Sequence, residues 1–356
     1  MMKSNFKING REISSKQPPY IIAEVSANHN GSISRAKETI LAAKDAGADA
    51  VKIQTYTPDT MTIDVNNEDF LITGGLWKER TLYDLYSEAY TPFEWHKALF
   101  EYANSLSITL FSSPFDETAV DLLESLNVPA YKIASFEIVD LTLLRYVAKK
   151  KKPMLISTGM ASIEEIGSAI EAARSGGCDD IAILHCISSY PAPIAEANLS
   201  AIKMLREEFG IEVGLADHTI GNVASLVATS LGASVIEKHF TLSRSDGCVD
   251  SKFSLEPSEM VSLITETKEA FKSIGTSMRS ISENENKVFR RSLYFVKDIK
   301  RGELISSENV RRIRPGYGLN AKYYNGIIGL TCLQDAKRGD RVTLQHFDQT
   351  KDTLDQ

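Results

Sequence analysis

Residues 212–240 read EVGLADHTIGNVASLVATSLGASVIEKHF, and this stretch decides the fold. A short apolar run ends in Asp217 and His218. A second, VIEKHF (235–240), ends in His239, and a helix-like run joins the two. Strand, helix and strand in that order form a right-handed crossover between parallel strands. Both imidazoles then emerge at the same end of one sheet. Either histidine alone could be a hydrogen-bonded core residue. Two at matched strand ends point instead to a pair of metal ligands on the floor of a site.

Working outward, the same rhythm recurs along the chain. Strand-like runs are YIIAEVS (20–26), AVKIQTY (50–56), ITLFSSP (108–114), AYKIAS (130–135), PMLISTG (153–159) and IAILHCI (181–187), followed by the two runs above. Between them lie stretches such as SRAKETILAAKDAGA, with apolar residues three or four apart and a closing Gly. Eight such units over about 240 residues fit a TIM (β/α)8 barrel. An open doubly wound sheet is disfavoured, because no GxGxxG turn follows the first strand. The reading places a catalytic barrel at 1–274, with a lead-in hairpin at Asn9-Gly10, and a linker at 275–289. A small β-rich domain follows at 290–350, and the last residues are expected to fray. In that domain DIKRGELI (298–305) and DAKRGDRV (335–342) resemble each other. The segment 64–90 is long for a connection and is expected to be a lid or specificity loop, with Trp77, Lys78 and Arg80 suiting a sugar or anion edge.

Composition excludes some classes. With 356 residues, 43% hydrophobic and 24% charged, the chain can bury a large core, and its net charge of -7 argues against nucleic-acid or membrane-surface binding. Cys178, Cys186, Cys248 and Cys332 form no CxxC pair. The polar N-terminus and the lack of a long apolar run lead us to expect a cytoplasmic protein.

Catalytic groups of such barrels sit at the carboxyl ends of the strands. Alternation sorts them. In AVKIQTY, Val51 and Ile53 should meet the helices while Lys52 and Gln54 face the axis. In VIEKHF, Ile236 and Phe240 point out, leaving Glu237 and His239 inward. A buried inward lysine is costly unless it is paired or holds a ligand. Lys52 and Lys132 with the hydroxyls of Ser113, Ser135 and Ser157 suit a phosphate or carboxylate. His218 and His239 suit a divalent metal. Glu24 and Glu137 could move protons or order a hydroxylated substrate. His29 and His185 are weaker candidates, since either could be a hydrogen-bonded core residue.

The phrases AEVSANHNGS, VKIQTYTPDTMT, GGLWKERTLYDLY, SSPF, AYKIAS, ISTGM, DHT, EKHF and DSKFSLEP occur in order over nearly the whole chain. In these the sequence resembles the sialic acid synthase family, a barrel followed by an antifreeze-like (SAF) domain, and most of all its pseudaminic acid synthase branch. The resemblance implies condensation of phosphoenolpyruvate with an amino sugar, 2,4-diacetamido-2,4,6-trideoxy-L-altrose in that branch. Sialic and legionaminic acid synthesis are the near alternatives, and a metal-dependent aldolase the distant one. It further implies that His218 and His239 bind a divalent metal, Mn2+ in the family, with Mg2+ or Co2+ as substitutes. Lys132, Ser135, Ser113 and Ser157 would hold phosphoenolpyruvate, with Lys52 and Gln54 at the junction of the substrates. Glu24, Tyr190 and Asp250 would face the sugar. Arg314 would reach into the barrel of a partner subunit, in a domain-swapped homodimer. Ala216 and Ser188 depart from the sialic acid branch, which has Ser and Asn there, so one hydroxyl near the phosphate is lost. VSANHNG and KIQTYTPD also differ from the sialic acid forms.

Overall fold

The computed structural model describes residues 6–275 and 284–348. The chain divides into two compact units, Met1–Gly275 and Thr276–Gln356. Most of the expected linker (276–283) and the expected frayed end (349–356) lie outside the described residues.

The first unit opens with the hairpin β1 (Phe6–Ile8) and β2 (Arg11–Ile13), turning at Asn9-Gly10 as the sequence suggests. Eight strands follow: β3 (Tyr20–Glu24), β4 (Ala50–Thr55), β5 (Thr109–Pro114), β6 (Tyr131–Ile133), β7 (Met154–Ser157), β8 (Ile181–Cys186), β9 (Glu212–Asp217) and β10 (Val235–His239). They close in sequence order into a parallel barrel, β10 pairing with both β9 and β3. The open-sheet alternative is thereby excluded.

The intervening helices are specified locally. Ser32 caps the helix Ile33–Ala46 by accepting from the Arg35 N–H, and Gly47 ends it at φ 92°, where a side chain would be strained. A reciprocal Ser162–Glu165 capping box starts the helix Ile163–Ser175.

Register fixes which residues face the axis. Glu24 pairs with Lys52 and His239, Gln54 with Ser113, and Glu237 with Ala216, which in turn pairs with Cys186. Register partners on adjacent parallel strands share a face, so these residues form one inward set. Val51, Ile53, Ile236 and Phe240 alternate with them and pack under the helices. Asp217 also belongs outside. Its carboxylate accepts from Ser225 Oγ of the helix Val223–Ser230 at 2.7 Å and from Lys238 Nζ at 2.8 Å.

The hairpin closes the far end. Asn9 Nδ2 donates to Thr109 Oγ1 at the start of β5, and the Ser15 N–H to Glu212 at the start of β9. These strands stand four apart among the eight, on opposite sides of the barrel. Ile8 and Ile13 are fully buried within the same core.

The second unit contains the antiparallel pair β11 (Ser292–Phe295) and β12 (Val310–Ile313) around a small core including Leu293, Ile299 and Val342. Its two similar segments face each other. Ile299 and Ala336 exchange backbone hydrogen bonds; Asp298 accepts from the Arg338 N–H, and Asp335 from the Arg301 N–H. The repeated DxKR text is thus a local two-fold relation, each aspartate capping the other copy's turn.

Candidate active site

Inside the barrel, charged side chains meet in a chain. Lys52 Nζ lies 2.8 Å from Glu24 and 3.6 Å from Glu237, and Lys132 Nζ lies 3.5 Å from Glu237. Ser113 accepts from Lys52, and Gln54 donates to Glu24 and to Ser26. All four charged groups are buried. Burial opposes the charge on Lys52, but Glu237 and Glu24 outweigh it and hold its pKa above the ordinary value. At Lys132 burial wins. It shares one carboxylate, with Lys52 as a cationic neighbour, and its pKa is pushed down. Lys132 is therefore the under-compensated cation, and an anion beside it would restore the balance.

The surroundings of Lys132 supply hydroxyls. Ser157 Oγ, at the end of β7, is buried and has no hydrogen-bond partner within the protein. Ser135 Oγ accepts from the Gly159 N–H at 3.3 Å. A Cβ on Gly159 would collide with Ser188 Oγ and Ser135 Oγ, so glycine is needed for this close approach. Ala216 faces the axis between Cys186 and Glu237 and offers no hydroxyl.

The two histidines stand side by side, ring centroids 5.4 Å apart. His218 Nδ1 lies 2.9 Å from the Ile187 carbonyl, which fixes a proton there and leaves Nε2 as the position for a metal. His239 Nδ1 is buried with no hydrogen-bond partner. Burial first, then nearby cations, hold the His239 pKa well below the usual range, so its ring is neutral. Burial opposes the charge on His218, but neighbouring Cys186 outweighs it and raises its pKa. Two adjacent imidazoles, with His239 neutral and its Nδ1 unpartnered, suit a divalent metal, which would displace the His218 proton on binding. Among the described residues no third His, Cys, Asp or Glu completes a ligand group, so remaining positions would fall to water or substrate oxygens.

Above them is a cavity of about 200 Å3 lined by Ser26, Gln54, Glu137, Tyr190, His239 and Asp250, among others. Tyr190 packs over His218 with centroids 4.3 Å apart, and Asp250 Oδ2 lies 3.8 Å from His239 Nδ1. Half-buried Glu137 has an unpartnered Oε2, and burial raises its pKa to about 7.

The segment 64–90 carries the helix Leu82–Ala89 and does roof the cavity, through Trp77, Leu85, Tyr86 and Ala89. Trp77 Nε1 donates to the Val249 carbonyl. Lys78 and Arg80 do not line it, contrary to expectation: Arg80 is spent on Glu88 at 2.7 Å, and Lys78 is exposed beside Glu79.

Besides Lys78, Arg80 and the core residue His185, one residue singled out from sequence lies outside the barrel unit altogether. Arg314 belongs to the second unit, where it is exposed. His185 is a satisfied core residue, its Nε2 2.8 Å from the Ala197 carbonyl. Sequence reasoning gave no role to Gly159 or Ser26. It saw Glu237 as inward but not that it neutralises two lysines; alternation alone carried that signal.

A family model described as the NeuB family matches residues 39–279. The chain belongs to the NeuB family. The NeuB match is followed by an SAF domain match over residues 290–348, in the unit that holds β11 and β12. A pseudaminic acid synthase of Campylobacter jejuni is 47% identical over 92% of this NeuB chain and 96% of its own length. One of Helicobacter pylori is 46% identical over 88% and 93%. The crystal structure of an N-acetylneuraminic acid synthetase of Leptospira borgpetersenii in complex with citrate superposes with a TM-score of 0.72 at 31% identity, covering 80% of this chain and 95% of that one. Among the described residues of this NeuB enzyme, no helix is long and apolar enough to cross a membrane.

Proposed function

We propose that the barrel mouth condenses phosphoenolpyruvate with 2,4-diacetamido-2,4,6-trideoxy-L-altrose and water, giving pseudaminic acid and phosphate. The observation that carries this reading is the juxtaposition of under-compensated Lys132, with the Ser135, Ser157 and Gly159 cradle, and the adjacent imidazoles of His218 and His239. The identity to two pseudaminic acid synthases selects the sugar.

In the reaction, C3 of the enol phosphate bonds to the aldehyde carbon of the open-chain sugar. Water adds at C2, and phosphate leaves with cleavage of its C–O bond. His218 and His239 would hold a divalent metal, Mn2+ first among the candidates, which supplies Lewis-acid polarisation when bound. Lys132, Ser135 and Ser157 hold the phosphate, with the Gly159 N–H orienting Ser135 Oγ. Lys52 and Ser113, with Gln54 beside them, hold the carboxylate end near the forming bond. Glu137, with a pKa near 7, is poised to exchange a proton at the water or leaving oxygen. Glu24, Tyr190 and Asp250 orient the sugar.

We further propose that the protein works in the cytoplasm as a homodimer with exchanged small domains, Arg314 completing the sugar site of its partner. Arg314→Ala should lose most activity and regain it in mixed dimers with a His239→Ala chain; no regain would mean a self-sufficient site.

The function is tested by phosphate release over a panel of sugars, with and without chelator. Release requiring phosphoenolpyruvate, the trideoxy sugar and free metal together is expected. Release without sugar, or only with N-acetylmannosamine, would overturn the reading.

A further inference from the structure

The cavity has two kinds of wall. Its ionisable carboxylates and imidazole, Glu137, Asp250 and His239, come from the ends of barrel strands and their following loops. The segment between β4 and the helix Phe93–Ser105 contributes Tyr56, Met61, Trp77, Leu85, Tyr86 and Ala89, apolar or aromatic side chains that carry no charge. None of that segment's charged residues lines the cavity. Some pair within the segment instead: Arg80 with Glu88, and Asp59 with Tyr83. Even the polar atom of Trp77 is withdrawn, because its Nε1 donates to the Val249 carbonyl and leaves the ring to face inward. Phe115 and Phe136 extend the apolar surface on the barrel side.

We infer that Met61, Leu85, Ala89 and the Trp77 ring are specificity-determining residues, which accept the apolar substituents of the sugar and select a 6-deoxy, acetamido-substituted substrate over its 6-hydroxylated counterpart. The inference rests on the function proposed above and assigns it to particular side chains. The physical ground is desolvation. A methyl group against Met61, Leu85, Ala89 and the Trp77 ring gains contact, whereas a hydroxyl against those four gives up water with no partner among them. An apolar pocket of this kind discriminates by roughly ten- to a hundredfold. The chemistry at the strand ends is indifferent to that choice, so selection and reaction are carried by separate parts of the chain.

The test compares kcat/KM for 2,4-diacetamido-2,4,6-trideoxy-L-altrose and its 6-hydroxylated counterpart in the wild type, Met61→Gln and Leu85→Asn. Met61→Gln keeps side-chain length and sits at the end of a short surface helix, so it reports even if Leu85→Asn fails to fold. The wild type should favour the trideoxy sugar by roughly tenfold or more. Each folded variant should lose most of that preference through the KM of the trideoxy sugar, with the KM for phosphoenolpyruvate unchanged. An unchanged preference in Met61→Gln and in folded Leu85→Asn, with phosphoenolpyruvate binding intact, would overturn the inference and leave the function standing. A wild type that turns over neither sugar would remove the function itself.

Discussion

Lys238 Nζ lies 2.8 Å from Asp217 Oδ2, so the residues immediately preceding His239 and His218 are tied to each other beneath the helical shell. Lys238 also donates to the Thr219 carbonyl at 2.6 Å, and Asp217 accepts from Thr219 and Ser225. Both ends of the ion pair are fully buried. This strut sets the spacing of the two strands that carry the imidazoles. Lys238→Met leaves a buried carboxylate without its cation, a change that costs about 3–5 kcal/mol. Urea unfolding should report that loss, and the added change Asp217→Leu should recover part of it. A variant as stable as the wild type would mean that the pair is not a strut.

His239→Ala removes one of the two imidazoles while leaving the outward faces of β10 untouched. Metal-dependent phosphate release should disappear with the circular dichroism spectrum unchanged. Titration calorimetry with Mn2+ should show binding weakened by tenfold or more. Full activity in this variant would refute the metal assignment.

Glu137 sets an expected pH dependence. Burial raises its folded pKa to about 7, above the value of about 4.5 for the exposed group. Its contribution to stability is therefore present below about 4.5 and is lost as pH rises through about 7. Glu137→Gln should be more stable than the wild type at pH 8, relative to the difference at pH 4.5, in urea titrations. It should also lower kcat by roughly 10²- to 10⁴-fold and erase a limb of the pH–rate profile near neutrality. A limb that survives in the variant would assign the proton to another group.

Gly159→Ala places a methyl between Ser135 and Ser188. The expected result is a KM for phosphoenolpyruvate raised by roughly tenfold or more, with a smaller change in the KM for the sugar. Equal changes in both would show that the cradle does not hold the phosphate.

The barrel was legible because each strand ends in polar residues at alternating positions and each helix closes on a cap, as at Ser32 and Gly47. The inward lysines and histidines were legible for the same reason, since period two sorts Lys52 from Val51 without coordinates. Asp217 shows where that reasoning stops. It ends a strand like its neighbour His218, yet it serves packing, because only register tells which end-of-strand group faces the axis. Lys78 and Arg80 failed for a different reason. In a segment without regular alternation, the sequence does not say which charges will pair with each other. Gly159 carried no pattern at all, since its role arises from two serines on other loops.

The lead-in hairpin and the loop after it are anchored across the far end of the barrel, and the described cavity opens at the carboxyl ends of the strands. A ligand held at Lys132, among the strands, lies beneath one held at Trp77 and Tyr190 at the rim. On the placement proposed above, phosphoenolpyruvate would be seated before the sugar covers it. Steady-state patterns should show an obligatory order of addition.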